Sequence, residues 1–131
     1  MRLLLDTHVA LWALTDDQRL ATHARTLIAD PANEVCVSAA TIWEIAIKHG
    51  LDRKGAGAMP VSGQEAQRLF LAAGYTLIPI LPEHASAVES LPLLHADPFD
   101  RLLVAQALTE PLRLITHDAM MAAYSDTIIQ V

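Results

Sequence analysis

Four acidic residues stand where the local sequence offers no simple solvent-facing role: Asp6, Glu44, Asp100 and Asp118. Asp6 closes the apolar run Leu3-Leu4-Leu5, and Asp118 comes two residues after Leu112-Arg113-Leu114-Ile115-Thr116. Glu44 lies inside Ala39-Ala40-Thr41-Ile42-Trp43-Glu44-Ile45-Ala46-Ile47, a run apolar enough to bury most of a helix. Asp100 has Leu103, Val104 and Ala107 three, four and seven residues on, which puts it on the same helical stripe. Two ionised carboxylates about 5 Å apart repel by ~3 kcal/mol at an effective dielectric near 20. A cluster of them therefore takes up protons or holds cations. Hard oxygen donors select Mg²⁺ or Mn²⁺, and the group such ions most often serve is a phosphate.

Each acid also has a plainer reading. Asp6 and Asp118 both fit as N-caps of the helices that follow them. Asp97, Pro98 and Asp100 form a coherent helix start, with a cap, a proline at the first position and an acid in the first turn. Glu44 and Lys48, four residues apart, fit as an exposed ion pair. What capping leaves unexplained is the shared location, because all four acids fall where a parallel sheet would present the carboxyl ends of its strands. Thr7 and Thr116, beside or near Asp6 and Asp118, suit either ordinary turn chemistry or the orienting of carboxylate oxygens and a bound water. His8, His95 and His117 each lie within two residues of an acid and make a zinc or iron site the competing reading. They lack the i, i+4 pairing and the Cys spacing of a strong metal motif.

The elements that must position these residues alternate between strand and helix. Leu3 to Leu5 predict a strand buried on both faces, the kind that lies centrally in a parallel sheet. Helices are expected over 8–14 and 18–29, then a strand over Glu34-Val35-Cys36-Val37. Ser38 suits the cap of a helix over 39–49, with Gly50 as its stop. Residues 51–63, with Gly55, Gly57, Pro60 and Gly63, read as a mobile surface loop; Lys48, Arg53 and Lys54 form a basic patch there that could guide phosphates. A helix over 64–73, a strand over 75–81 and a short helix over 82–88 follow. The remainder is a helix from Asp97, a strand over 112–116, a short helix over 118–124 and a strand over 127–131. The pattern predicts an α/β fold, a three-layer α/β/α sandwich with a mainly parallel central sheet, formed as one domain over 1–131. Trp12 and Trp43 read as core.

The chain of 131 residues is 53% hydrophobic, enough for a sizeable core, and carries a net charge of −6. That balance excludes binding nucleic acid by bulk electrostatics but not chemistry on it. With four acids committed to cations, 9 basic residues face 11 remaining acids of the original 15. The single cysteine, Cys36, allows no internal disulfide and points to a reducing cytoplasm. Asp6 and His8 cut the opening apolar run short of a signal sequence, and the apolar stretch 69–81, interrupted by Gly74 and Pro79, is too short to span a bilayer. A membrane partner is not expected.

The ordered set of motifs resembles the PIN-domain ribonucleases, and among them the VapC-like toxins of toxin–antitoxin pairs. The resemblance rests on Leu4-Leu5-Asp6-Thr7-His8, on Ile42-Trp43-Glu44-Ile45-Ala46-Ile47-Lys48, on His95-Ala96-Asp97-Pro98-Phe99-Asp100-Arg101-Leu102-Leu103-Val104-Ala105-Gln106-Ala107, and on Leu114-Ile115-Thr116-His117-Asp118. Each motif alone is weak, whereas their order and spacing over the whole chain are specific. The resemblance implies a PIN-like fold and an acidic site that binds Mg²⁺ or Mn²⁺ and hydrolyses RNA. Asp6, Glu44, Asp100 and Asp118 match the family's four acids, with Asp97 the other candidate for the third place and otherwise a cap or supporting ligand. It further implies a cognate antitoxin whose C-terminal segment enters the acidic cleft, toxin dimers and toxin–antitoxin hetero-oligomers. Two other readings remain beside it: a non-catalytic binding module of the same fold, and another Mg²⁺-dependent phosphotransfer enzyme with Asp6 as nucleophile. Against the last, His8 stands where such enzymes commonly carry a second acid.

Overall fold

Leu3, Leu4 and Leu5 are all fully buried although successive side chains of a strand point to opposite faces, so both faces of their strand must be covered. The computed structural model, which describes residues 1–51 and 59–131, shows what covers them. Five strands form one parallel sheet in the order β3-β2-β1-β4-β5, with β1 at Arg2–Leu5, β2 at Glu34–Ser38, β3 at Thr76–Ile78, β4 at Arg113–Thr116 and β5 at Ile129–Gln130. Leu3, Leu5, Val35, Val37 and Ile115 pack on one face with α1 (Thr7–Thr15), α2 (Thr22–Ala29), α3 (Ala39–Leu51) and α4 (Gly63–Ala72), where Phe70 is fully buried. Leu4, Cys36 and Leu114 pack on the other with Leu103, Val104 and Ala107 of α6 (Pro98–Thr109). A short helix α5 (Pro82–Ala87) precedes α6, and a single turn, α7 (Ala119–Ala122), follows β4. Each buried leucine of β1 contributes about 1.5–3 kcal/mol relative to exposure. This is the expected α/β sandwich, with an all-parallel sheet. No helix among the described residues is long and apolar enough to cross a membrane.

The strand order places a topological switch at β1. The chain runs outward through β2 and β3 on one side, then returns to lay β4 and β5 on the other. Connections from β1 and β4 therefore diverge, and a crevice opens at their carboxyl ends.

Several boundaries differ from those expected. α2 begins at Thr22 because residues 17–20 form a turn, closed by Leu20 N–H on Asp17 O and strapped by Arg25 to the carbonyls of Asp17 and Leu20. β3 ends at Ile78, since Pro79 cannot continue the ladder. Gly50 does not stop α3, which runs through it to Leu51; a glycine weakens a helix interior but ends it only where the chain takes up a left-handed turn, as at Gly74 with φ of 85°. Of the supposed loop 51–63, Leu51 belongs to α3 and Gly63 opens α4, while 52–58, including Arg53 and Lys54, lies outside the described residues. Trp43 is not core: it is 56% exposed and meets Phe99 edge-on, with ring centroids 4.9 Å apart.

Gly63 is required by packing. A Cβ there would come within 2.8 Å of the Ala46 Cβ, so the α3–α4 contact depends on its absence. Gly63→Ala is expected to destabilise the protein by about 1–3 kcal/mol in urea unfolding, and adding Ala46→Gly to recover part of that loss; a Gly63→Ala protein as stable as the wild type would contradict the close contact.

Candidate active site

Asp6 leaves β1 at the switch point. Its backbone N–H continues the ladder to Ile115 O at 3.0 Å, and only 3% of the residue is exposed. One carboxylate oxygen caps α1 by accepting from Val9 N–H at 2.8 Å. The other accepts from the Thr116 hydroxyl, whose oxygen in turn accepts from Asp118 N–H at 3.0 Å. Thr116 thus ties the ends of β1 and β4 together. Burial pushes the Asp6 carboxyl above its ordinary value, against the pull of Thr116, the Val9 N–H and His8, and the charge of Asp118 adds to the rise.

Asp118 caps α7 by accepting from Met120 N–H at 2.7 Å, and its second oxygen lies 2.9 Å from His95 Nε2. Partial burial pushes this carboxyl up, but the Met120 donor and His95 outweigh it and hold it below the ordinary range. Asp100 occupies the first turn of α6, with one oxygen also 2.9 Å from His95 Nε2. Its carboxyl is pushed up to about 7, first by burial and then by the charges of Asp97, Glu44 and Asp6, with His95 opposing. Asp97 is the cap of α6 and accepts from Phe99 N–H at 2.8 Å and Asp100 N–H at 3.1 Å. Of the two candidates for the third acid, Asp100 is the one that faces Asp118 across His95.

Glu44 is 2% exposed, yet neither of its oxygens lacks a donor. The Thr7 hydroxyl donates to one at 2.7 Å and the Lys48 ammonium to the other. The expected Glu44–Lys48 pair exists, with its acid end buried and its basic end half exposed. Partial burial alone would lower the Lys48 ammonium; the bond to Glu44 and the charges of Asp97 and Asp100 reverse this and hold it above its ordinary value.

The feature that spacing does not reveal is His95 as the bridge. Its Nδ1 accepts from Asp97 N–H at 3.3 Å, which leaves Nε2 to carry the proton shared between Asp100 and Asp118. The loop bearing it is fastened by two further residues. Tyr124 Oη accepts from the N–H groups of Leu94 and His95 at 3.2 and 3.1 Å, and Arg101 donates to Tyr124 Oη, Pro92 O and Val88 O. Arg101 immediately follows Asp100, but nothing local identifies Tyr124, which lies across the fold.

Among the described residues, the ligand atoms that converge within 4.8 Å of one another come from His95, Asp100 and Asp118; Asp6 and Glu44 fall outside that set and are hydrogen-bonded to Thr116 and Thr7. This set fits a hard divalent cation, being oxygen donors in the main with one imidazole nitrogen, and the Asp100 carboxyl among them is raised first by burial and then by the neighbouring acids. The histidine-based alternative collects one imidazole here, since His8 and His117 lie apart from this group, against Trp12.

Residues 3–126 match the model of the PIN domain family. The chain belongs to the PIN-domain family. It is 34% identical over 122 residues to Ribonuclease VapC22 of Mycobacterium tuberculosis, covering 92% of this chain and 90% of that protein, and so falls among the VapC-like ribonucleases. Its fold is similar to that of VapBC2 from Rickettsia felis, solved with a promoter DNA fragment, with a TM-score of 0.70 at 16% identity over 100% of this chain and 98% of that one. A toxin–antitoxin complex from Klebsiella pneumoniae gives 0.64 at 19% identity, over 97% and 95% of the two chains.

Asp6 and Asp100 bind a proton more tightly folded than unfolded, so the folded state holds more protons between about pH 4 and about 7, and its stability falls as pH rises through that window. Thermal melts of the metal-free PIN protein in EDTA are expected to show a declining Tm from pH 5 to 7.5, with a shallower decline for Asp100→Asn. Parallel profiles for the two proteins would contradict the charge crowding at Asp100.

Proposed function

We propose that this VapC-like PIN ribonuclease cleaves RNA endonucleolytically with Mg²⁺ or Mn²⁺ held by Asp6, Asp100 and Asp118, with Glu44 completing the charge. The observation that supports this reading is the gathering of buried and half-buried carboxylates at the switch point between β1 and β4, in a chain that matches a VapC ribonuclease over nearly its full length. When bound, a divalent cation polarises a phosphoryl oxygen and lowers the pKa of an attacking water.

The chain's own residues prepare that chemistry. Thr116 fixes the orientation of Asp6 and, through the Asp118 N–H, the start of the turn that carries Asp118. Thr7 and Lys48 give both Glu44 oxygens a donor inside a buried helix, where an unpaired charge would be expensive. Asp100, protonated in part near neutral pH without a cation, gives up that proton when one binds. The half-exposed ammonium of Lys48 offers its remaining hydrogens to the RNA backbone, and Arg53 and Lys54 are assigned to the same role from sequence.

The biological role we assign is that of the toxin of a toxin–antitoxin pair acting in the cytoplasm. The similar solved structure from Klebsiella pneumoniae is a toxin–antitoxin complex, and that from Rickettsia felis is VapBC2 bound to promoter DNA. An antitoxin segment with basic side chains would neutralise the same carboxylates that hold the cation, and the toxin would form homodimers within the larger hetero-oligomer.

Asp6→Asn is expected to lower RNA cleavage by at least about a hundredfold, a loss of the several kcal/mol that a metal-held charge supplies, while the circular dichroism spectrum stays that of the wild type. Cleavage by Asp6→Asn at the wild-type rate, or wild-type cleavage undiminished by EDTA, would overturn the metal-held acid site, whereas a wild-type protein that cleaves no RNA with Mg²⁺ or Mn²⁺ would leave the binding-module reading in its place.

A further inference from the structure

Beside the acid cluster lies a cavity of about 300 Å³ lined by Asp6, His8, Trp12, His117 and Asp118. Its lining combines two chemistries. Asp6 and Asp118 supply carboxylates, and the other three residues supply aromatic rings. Trp12 is flanked by His117 edge-on with ring centroids 5.4 Å apart and by His8 at 6.0 Å, and the Arg19 guanidinium sits 5.3 Å from the indole centre. The wall is held in place: His117 Nδ1 lies 3.0 Å from Val131 O, and Arg19 is tied to Asp17 at 2.7 Å. His8 and His117 are exposed and take no part in the cluster around His95.

Single-stranded RNA is read chiefly by stacking and edge contacts of splayed bases against aromatic side chains. The cavity is at the small end of ligand-sized pockets and suits a single nucleotide. We propose that it is the subsite for one substrate nucleotide, whose phosphate meets the cation at Asp6 and Asp118 and whose base lies against Trp12, His8 and His117. The inference rests on the cation-site reading above, because without a cation the two carboxylates would repel the phosphate. Trp12, His8 and His117 are then determinants of substrate binding and base preference, outside the group that acts on the phosphate.

The test uses inorganic phosphate and the four nucleoside 5′-monophosphates as probes, titrated into Trp43→Phe protein so that Trp12 is the one tryptophan reporting. With Mg²⁺ present, at least one nucleotide is expected to bind about 5- to 100-fold more tightly than inorganic phosphate and to quench Trp12 fluorescence; with EDTA neither ligand binds. His117→Ala and, by calorimetry, Trp12→Leu are expected to bring the nucleotide to within about twofold of phosphate without changing phosphate affinity. Trp12 also borders the core, so His117→Ala, at an exposed position, keeps the test independent of folding. Phosphate binding with no gain from the base would overturn the subsite and leave the cation site standing. Nucleotide binding undiminished in both variants would place the base elsewhere and likewise overturn it. Failure of phosphate to bind with Mg²⁺ would overturn both.

Discussion

The mutual repulsion of carboxylates at the carboxyl ends of β1 and β4 is the constraint around which the rest of this PIN domain is arranged. At spacings near 5 Å each ionised pair costs ~3 kcal/mol, and the fold does not remove that cost by exposing the groups. Asp6 and Glu44 are buried, and Asp100 is shielded enough to titrate near neutrality. The charge is instead met piecemeal: Thr116 and a backbone N–H on Asp6, Thr7 and Lys48 on Glu44, and the His95 ring between Asp100 and Asp118. Carboxylates kept under this tension cost stability, as functional sites commonly do.

Capping and site formation turn out to be one arrangement. Asp6, Asp97 and Asp118 each cap a helix or helical turn, and Asp100 lies in the first turn of α6. The first N–H groups of these elements, their positive ends, donate to these acids and offset part of the repulsion. The cap reading of each acid is correct as local structure. It does not compete with the cluster, because the parallel sheet brings the starts of these elements to one edge.

Much of this was legible in the sequence because the deciding signals are local. Leu3 to Leu5 announce a strand covered on both faces, and the Asp97-Pro98 start of α6 is found where its chemistry puts it. The legible part stops where a contact spans the chain. His95 reaches Asp118 from 23 residues away, and Tyr124 fastens the His95 loop from 29 away. No periodicity encodes such pairs. Gly63 looked like loop punctuation because a glycine's absent Cβ is meaningful only once Ala46 is seen opposite it. Trp43 looked like core because its helix is apolar all round, yet its ring lies outside on Phe99.

The same edge thus starts three helical elements and gathers negative charge. The protonation of Asp100, raised first by burial and then by the neighbouring carboxylates, responds to a cation placed beside it. Carbon-detected NMR titration of the Asp100 carboxyl, without and with saturating Mg²⁺, measures it. The predicted result is a midpoint near 7 in the metal-free protein that falls by at least about two units when the cation binds. A midpoint at the ordinary aspartate value of about 4 in both conditions would contradict the claim that this cluster is a cation site.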